Sequence, residues 1–159
     1  MSHPTLFFYP RPRVDVAEVP ALAHAGAVLL TDTIHATGLA ASLREALDSW
    51  TKPLAEHHSS KVLLDLALTL AIGGEHASDA DLLRCEPDLF GDVASAPTIS
   101  RMLTTLAEDA PAVIEAISNA RRAARERAWA LAGEHSPAAG ASAKSPLVID
   151  LDATLSNVH

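Results

Sequence analysis

The sequence predicts a mainly α-helical protein followed by one isolated β-strand. Nearly half of the residues, 48%, are apolar and only 4% are aromatic, a balance that favours helix over sheet. Apolar residues recur at helical spacing in the middle of the chain, as at Leu39, Leu43 and Leu47. In contrast, the stretch that begins LVIDL at Leu147 has the character of a buried strand.

Prolines and glycines mark where the predicted elements begin and end. Four prolines fall within residues 1–20, and because proline fixes φ and lacks a backbone donor, this segment is expected to be an extended arm. Helices are expected over residues 25–38, 39–50, 59–74, 78–86, 98–109 and 111–135. The helix over 59–74 is apolar nearly all round, so we expect it at the centre of the bundle, capped by a serine. Ser78 is the expected cap of the next helix.

The sequence divides into four segments. After the arm, residues 21–135 are expected to form one helical domain. Residues 136–146 are small and polar, which is typical of a linker. Residues 147–159 hold the single predicted strand.

Composition limits the function classes. The formal net charge is −8, which is evidence against nucleic-acid binding by the molecule as a whole. A single cysteine excludes an internal disulfide framework and fits a reducing cytoplasm. There is no secretory signal at the N-terminus and no apolar run of about 18 residues, so neither secretion nor a membrane span is predicted.

The segment from Gly73 to Ala107 predicts a helix-turn-helix-like arrangement whose second helix carries a candidate DNA-binding group. Thr98 and Ser100 lie near the start of that helix and Arg101 follows. Hydroxyls and an arginine at a helix N-terminus suit a phosphate or a base edge. The alternative is two packed helices in which Arg101 pairs with a local acid such as Glu86 or Asp92.

A second basic group lies in RRAARER, residues 121–127, which holds four of the twelve basic residues. Arg121, Arg122 and Arg125 occupy adjoining positions of the predicted long helix. Such a local stripe can bind phosphates although the whole chain is acidic. The alternative is a solvated helix face with Glu126 interleaved.

The segment VIDLDATL carries the candidate catalytic carboxylates. Asp150 and Asp152 are two apart, so on a strand they share a face, and Thr154 extends the polar row. Two carboxylates on an apolar strand suggest a divalent metal ion; the alternative is a solvated strand edge. The D-x-D-x-T spacing resembles haloacid-dehalogenase phosphatases, and a strand with D-x-T also resembles the DDE transposases.

The order of several blocks resembles the N-terminal part of bacterial insertion-sequence DDE transposases, of the type common in actinobacteria. The resemblance begins near residue 22, and its most specific part is the segment from Gly73 to Ala107. The blocks are GAVLL from Gly26, KVLLDLALTLAIGG from Lys61, SDADLLR, PDLFG and PTISR from Ser78 onward, AARERAWALAG from Ala123, and VIDLDATL from Val148.

This resemblance implies a helical region that binds transposon-end DNA, followed by an RNase H-like α/β catalytic domain using two Mg²⁺ ions. Asp152 is then the first catalytic aspartate and metal ligand, with Asp150 as the second choice. The family's later Asp and Glu are expected beyond residue 159, so the chain is expected to be an N-terminal fragment with an incomplete catalytic domain, leaving enzymatic activity uncertain. A second copy or a full-length transposase is the expected protein partner.

Two other functions stay open from the sequence. A small helical regulatory or interaction protein without a DNA role would fit the acidic balance. A truncated haloacid-dehalogenase-type phosphatase would fit D-x-D-x-T, although a helical domain ahead of that motif is unusual for this class.

Three smaller expectations concern single residues. Cys85 is expected to be a buried thiol, since no histidine has a catalytic spacing to it. Trp129 and Leu131 are expected in the core. The histidines, including the His57–His58 pair, are expected to be structural or solvated, because no metal-ligand spacing connects them.

Overall fold

The structure, a computed structural model, describes residues 8–11 and 26–149 and is built from α-helices. Within these ranges the chain forms no β-strand, only an isolated bridge between Ser142 and Ser145. Short 3-10 turns occupy Asp48–Trp50, Ala77–Ala80 and Gly133–His135. The helices are α1 (Ala27–Thr37), α2 (Leu39–Ala46), α3 (Ser59–Ala71), α4 (Asp81–Arg84), α5 (Pro87–Phe90), α6 (Ala96–Ala107) and α7 (Ala110–Ala132).

The sharp joint between α1 and α2 is made by Gly38. Its φ of 69° lies in the left-handed region, and its backbone N–H donates to the carbonyl of His35 to close α1. Because residues other than glycine adopt this conformation at a cost, the sequence signal for a helix stop at Gly38 is confirmed.

Helix α3 contributes side chains to the core, but not from every side of the helix. Val62, Leu64 and Leu68 are at most 3% exposed, while Leu70 is 62% exposed. The expected central position of this helix therefore holds for one face only, while another face is exposed to solvent. Its buried face also carries a polar row at i, i+4 and i+8, formed by Lys61, Asp65 and Thr69.

Helix α7 is the longest element and packs most extensively on α2. Its buried positions, Val113, Ala120 and Ala124, face the bundle, and the small alanines allow close approach of the two helices. Further along, Trp129 is 37% and Leu131 is 64% exposed. The expectation that these two residues lie in the core is wrong, because α7 extends past the elements that pack against it.

Two helix starts use different caps from those expected. The side chain of His58, not a serine, accepts from the backbone N–H of Ser60 at the start of α3. At the next helical segment, the carboxylate of Asp79 accepts from the backbone N–H groups of Glu75 and His76, so Ser78 is not the cap. Histidine and carboxylate acceptors replace the hydroxyls that the sequence suggested.

The structure describes only part of the predicted arm and only part of the predicted strand. Residues 8–11 of the arm form no helix or strand. Leu147–Ile149 have no regular structure and are exposed, so these residues do not show the predicted strand. Asp150, Asp152 and Thr154 lie outside the described residues. In the described ranges, no helix has the length and apolar content needed to cross a lipid bilayer.

Candidate nucleic-acid interface

A cleft forms where the connection between α2 and α3 meets α6, and we call it the α6 cleft. It encloses about 160 Å³. It is lined by Trp50, Lys52, Ala55, His57, Ser59, Thr98, Arg101, Met102 and Thr105. Among the described residues, no Asp or Glu lines this cleft, although the whole chain carries a net charge of −8. The α6 cleft therefore combines two basic side chains and three hydroxyls with an apolar lining, and the indole N–H of Trp50 in this lining donates to the carboxylate of Asp109 at 3.2 Å.

The first two turns of α6 bring two of the predicted residues together. A guanidinium nitrogen of Arg101 donates to the hydroxyl of Thr98 at 3.0 Å. That hydroxyl also lies 3.0 Å from the hydroxyl of Ser95, which precedes the helix. The Arg101 side chain is thus oriented by its own helix. Ser100, the third predicted residue of this group, is exposed but does not line the cleft.

Glu86 and Asp92, the local acids that were the alternative partners for Arg101, do not pair with it in the described part of the chain. A different arginine, Arg84, has the structural role. Its side chain donates to the backbone carbonyls of Val93 and Ala94 and forms an ion pair with Asp81. Arg84 therefore fixes α4 to the segment before α6, and Arg101 remains exposed with its hydroxyl partner.

The second predicted group lies on α7, and all of its members are exposed. Arg122 donates to the side chain of Asn119 at 2.7 Å. Arg121 and Arg125 share the solvent-facing side of the helix, with the exposed Glu126 beside them. Within the described part of the chain, no hydrogen bond or ion pair joins these arginines to the α6 cleft. The structure thus shows two basic groups on separate helices.

A buried polar cluster, which the sequence analysis missed, lies at the contact of the arm with α3. The Tyr9 hydroxyl donates to Oδ1 of Asp65 at 2.9 Å, and Lys61 Nζ lies 2.6 and 2.7 Å from the two oxygens of the same carboxylate. Lys61 also donates to the backbone carbonyl of Asp92. A lysine and an aspartate at i and i+4 within an otherwise apolar helix were the available signal.

Burial changes the ionisation of this cluster. It raises the pKa of Asp65 and of Tyr9 above their ordinary values. It lowers the pKa of Lys61, although the facing carboxylate acts in the opposite direction. Since the three groups satisfy one another through hydrogen bonds, the cluster holds the arm on the bundle and does not present a free reactive group.

A larger cavity, of about 590 Å³, lies between the arm and the connection from α2 to α3, and we call it the arm cavity. Its charged lining residues have both signs, for example Arg44 and Asp48. Lys52, Ala55 and His57 line both this cavity and the α6 cleft. The connection between α2 and α3 therefore separates two cavities of different charge character.

His58, at the end of this connection, is structural, as expected. Its Nδ1 accepts from the backbone N–H of Ser60, which places the proton of the neutral ring on Nε2. Nε2 lies 3.5 Å from a carboxylate oxygen of Asp48. Burial lowers the pKa of His58, because desolvation disfavours the charged ring, although the hydrogen bond to Asp48 acts in the opposite direction. Cys85, by contrast, is exposed, so the expectation of a buried thiol is wrong.

Comparison with known proteins identifies the family. Residues 19–159 match the family described as transposase DDE domain group 1. This chain belongs to the DDE transposases. No curated protein and no solved structure gives a significant match to it. Transposases act on DNA, and DDE transposases generally use divalent metal ions.

The described residues of this DDE transposase chain do not themselves fit a metal centre. Among residues 8–11 and 26–149, no group of three or more His, Cys, Asp or Glu side chains could hold a metal ion. The aspartates predicted from the sequence as ligands, Asp150 and Asp152, lie outside these ranges. The geometry of the described residues therefore bears on DNA binding and not on the metal-dependent step.

Proposed function

We propose that this chain binds the terminal DNA of its insertion sequence, with the α6 cleft holding a backbone phosphate. The observation that carries the proposal is the cleft lining of Lys52, Arg101 and Thr98, without a described carboxylate, in a family that acts on DNA. An acidic protein that binds DNA needs such a local basic site, because its overall charge opposes association.

The chemistry of the cleft suits a phosphate. Arginine presents several N–H donors in a plane that matches two phosphate oxygens. The Thr98 hydroxyl already engages one guanidinium nitrogen at 3.0 Å, so less side-chain freedom is lost when a phosphate binds. Lys52, on the connection between α2 and α3, supplies a second positive charge to the same cleft.

We assign the remaining predicted residues to supporting roles in the same reaction. Ser100 would contact DNA beside the cleft. Arg121, Arg122 and Arg125 on α7 would bind phosphates further along the duplex. Asp152, with Asp150 as the second choice, would hold a magnesium ion in an RNase H-like active site of the actinobacterial type. We propose DNA binding as the role of the described residues, since the α6 cleft is the site whose geometry they supply.

The test measures binding to a duplex that carries the terminal inverted repeat of the element, by fluorescence anisotropy at several salt concentrations. Arg101→Ala and Lys52→Ala should each weaken binding and reduce the slope of log K against log salt by about one. Lys144→Ala, an exposed lysine in the predicted linker, is the matched control and should change neither quantity.

The wild-type chain should bind the terminal repeat with an affinity that falls as salt increases. If Arg101→Ala and Lys52→Ala bind as the wild type does, with the same salt slope, the cleft is not the phosphate site. If no salt concentration gives binding to the terminal repeat, the DNA role itself is wrong.

A further inference from the structure

Part of the α6 cleft is apolar, and a tryptophan belongs to this part. The lining combines Trp50, Ala55 and Met102 with the basic and hydroxyl side chains to which we assign a phosphate. A phosphate is bound by charged and polar donors, so the apolar side chains contribute nothing to holding it. The composition of the cleft therefore suits a ligand that joins an anionic group to an apolar one.

The size of the cleft limits what this ligand is. Pockets for whole small molecules typically enclose about 300–1,000 Å³, whereas the α6 cleft encloses about 160 Å³. A space of this size suits one unit of a larger molecule better than a complete cofactor or metabolite. One nucleotide of a DNA strand is such a unit, since it joins a phosphate to a flat base with a π-face on which aromatic side chains stack.

The Trp50 side chain is held in position by the bundle. Its indole N–H donates to a carboxylate oxygen of Asp109 at 3.2 Å. The side chain is half-buried, and it packs against a small apolar cluster of Leu47, Leu106 and Val113. It also lines the α6 cleft. A ring that is fixed in this way loses little freedom when a base stacks on it.

The polar and apolar parts of the cleft are next to each other. On α6, Thr98, Arg101 and Met102 occupy positions i, i+3 and i+4, so they share one face of the helix. All three line the cleft together with Trp50. The side chains suited to a phosphate therefore adjoin those suited to a base, as the two groups do within one nucleotide.

We infer that Trp50 stacks on an unpaired base of the bound DNA while Arg101 and Lys52 hold the phosphate of the same nucleotide. This inference rests on the proposed DNA binding and names the part of the DNA that enters the α6 cleft. The base is unpaired, because a cleft of this size admits one base and not a base pair. Stacking on an aromatic side chain strengthens binding by about fivefold or more and tolerates any base.

The test compares three duplexes of the terminal repeat by fluorescence anisotropy. One is blunt, one carries a single overhanging deoxyadenosine, and one carries a single overhanging abasic nucleotide, which keeps the phosphate without the base. The wild-type chain should bind the adenine overhang at least about fivefold more tightly than the abasic overhang. Trp50→Leu should remove this preference and keep the affinity for the blunt duplex within about twofold, because the basic side chains remain. The Tm of the variant reports whether it folds.

A second readout leaves Trp50 in place. The chain has two tryptophans, so Trp129→Phe makes Trp50 the only one. In this variant, the adenine overhang should quench the indole emission more than the abasic overhang does, because a stacked base contacts the ring. Arg101→Ala is the control for the anisotropy measurement. It should weaken binding to all three duplexes and keep the preference for the adenine overhang.

Each other outcome overturns a defined part. If the adenine and abasic overhangs bind equally tightly, or quench Trp50 equally, the stacking is wrong and the DNA-binding proposal stands. If Trp50→Leu folds and keeps the preference, the base lies against another residue and the inference is also wrong. Displacement of the overhang duplex by an equal concentration of deoxyadenosine monophosphate would assign the cleft to a free nucleotide and overturn the inference. If the wild type binds none of the duplexes, both proposals fail.

Discussion

The hydroxyl of Tyr9 donates a 2.9 Å hydrogen bond to Oδ1 of Asp65, a residue 56 positions further along the chain. Tyr9 is 2% and Asp65 1% exposed, so this bond lies inside the bundle. It connects a proline-flanked arm to the central helix and completes the surroundings of a buried ion pair with Lys61. The first two predictions follow from this relationship.

Tyr9→Phe should destabilise the chain without disturbing the shape of the core. The substitution keeps the ring and removes one donor to a buried carboxylate, so the free energy of unfolding should fall by about 1–3 kcal/mol. Urea denaturation measures this quantity. Thr33→Ala, which removes an exposed hydroxyl bonded to the Leu29 carbonyl, is the control and should have little effect. A Tyr9→Phe chain as stable as the wild type would show that the arm contact contributes nothing.

Lys61→Met should be more damaging, and its effect should depend on pH. It leaves Asp65 buried without its cation, so we expect a loss of about 3–5 kcal/mol. Burial already raises the pKa of Asp65 above 3.8, and loss of the lysine raises it further. A raised folded-state pKa means that the folded chain binds the proton more tightly, so stability falls as pH rises through the window above 3.8.

The measurement for this variant is urea denaturation at two pH values. The loss relative to wild type should therefore be smaller at about pH 4 than at about pH 7. The double variant Lys61→Met/Asp65→Leu should recover stability relative to Lys61→Met, because it removes the unpaired charge. An equal loss at both pH values would contradict the assignment of the effect to an ionised Asp65.

His58 should make the stability of the chain sensitive to mild acid. Burial lowers its pKa below 6.5, so its contribution to stability is complete above pH 6.5 and is lost as pH falls through the lowered pKa. Protonation of Nδ1 would remove the acceptor for the Ser60 N–H at the start of α3. His58→Asn supplies a cap that does not titrate, so its Tm should fall less than that of the wild type between about pH 7 and about pH 5.

The matched control for this titration is His135→Asn, at an exposed histidine after α7. It should keep the wild-type dependence of Tm on pH. If the Tm of His58→Asn falls with pH as much as that of the wild type, another group causes the acid sensitivity.

The arginines of α7 should contribute to DNA affinity without carrying sequence preference. Arg121→Ala/Arg125→Ala removes two exposed charges, and the salt slope of binding should fall by up to about two, equally for terminal-repeat and random duplexes. The free energy of unfolding should change little, since both side chains are exposed. Fluorescence anisotropy with both duplexes measures this. An unchanged salt slope would show that these arginines do not bind phosphates and instead form a solvated helix face.

Several parts of the fold could be predicted because they depend on local chemistry. The spacing of Leu39 and Leu43, and the glycine at position 38, predicted α2 and its joint with α1. For α6 and α7, the prolines near their starts gave the correct positions within a few residues. Thr98, Ser100 and Arg101 were predicted as one group because hydroxyls and an arginine near a helix N-terminus suit a phosphate. Thr98 and Arg101 do meet, since they lie three apart on α6.

Other features required tertiary contacts. The partner of Asp65 is a tyrosine from the arm, and no local pattern connects two residues so far apart in sequence. Lys52 joins the α6 cleft only through the packing of a connection against α6. Trp129 was misplaced because α7, with 23 residues and about 34 Å of length, extends well past α2, which has 8 residues and spans about 12 Å. The periodicity of apolar residues indicates which face of a helix is buried, but not how far along the helix other elements cover that face.

The proposed DNA role is tested most directly by a competition measurement with the wild-type chain. A labelled duplex of the terminal inverted repeat is bound at moderate salt and then displaced by unlabelled terminal-repeat or random duplex of the same length. Recognition of transposon ends predicts that the random duplex must be in excess by more than about tenfold to displace the label equally. Equal competition by the two duplexes, or no binding to either, would contradict the proposed function.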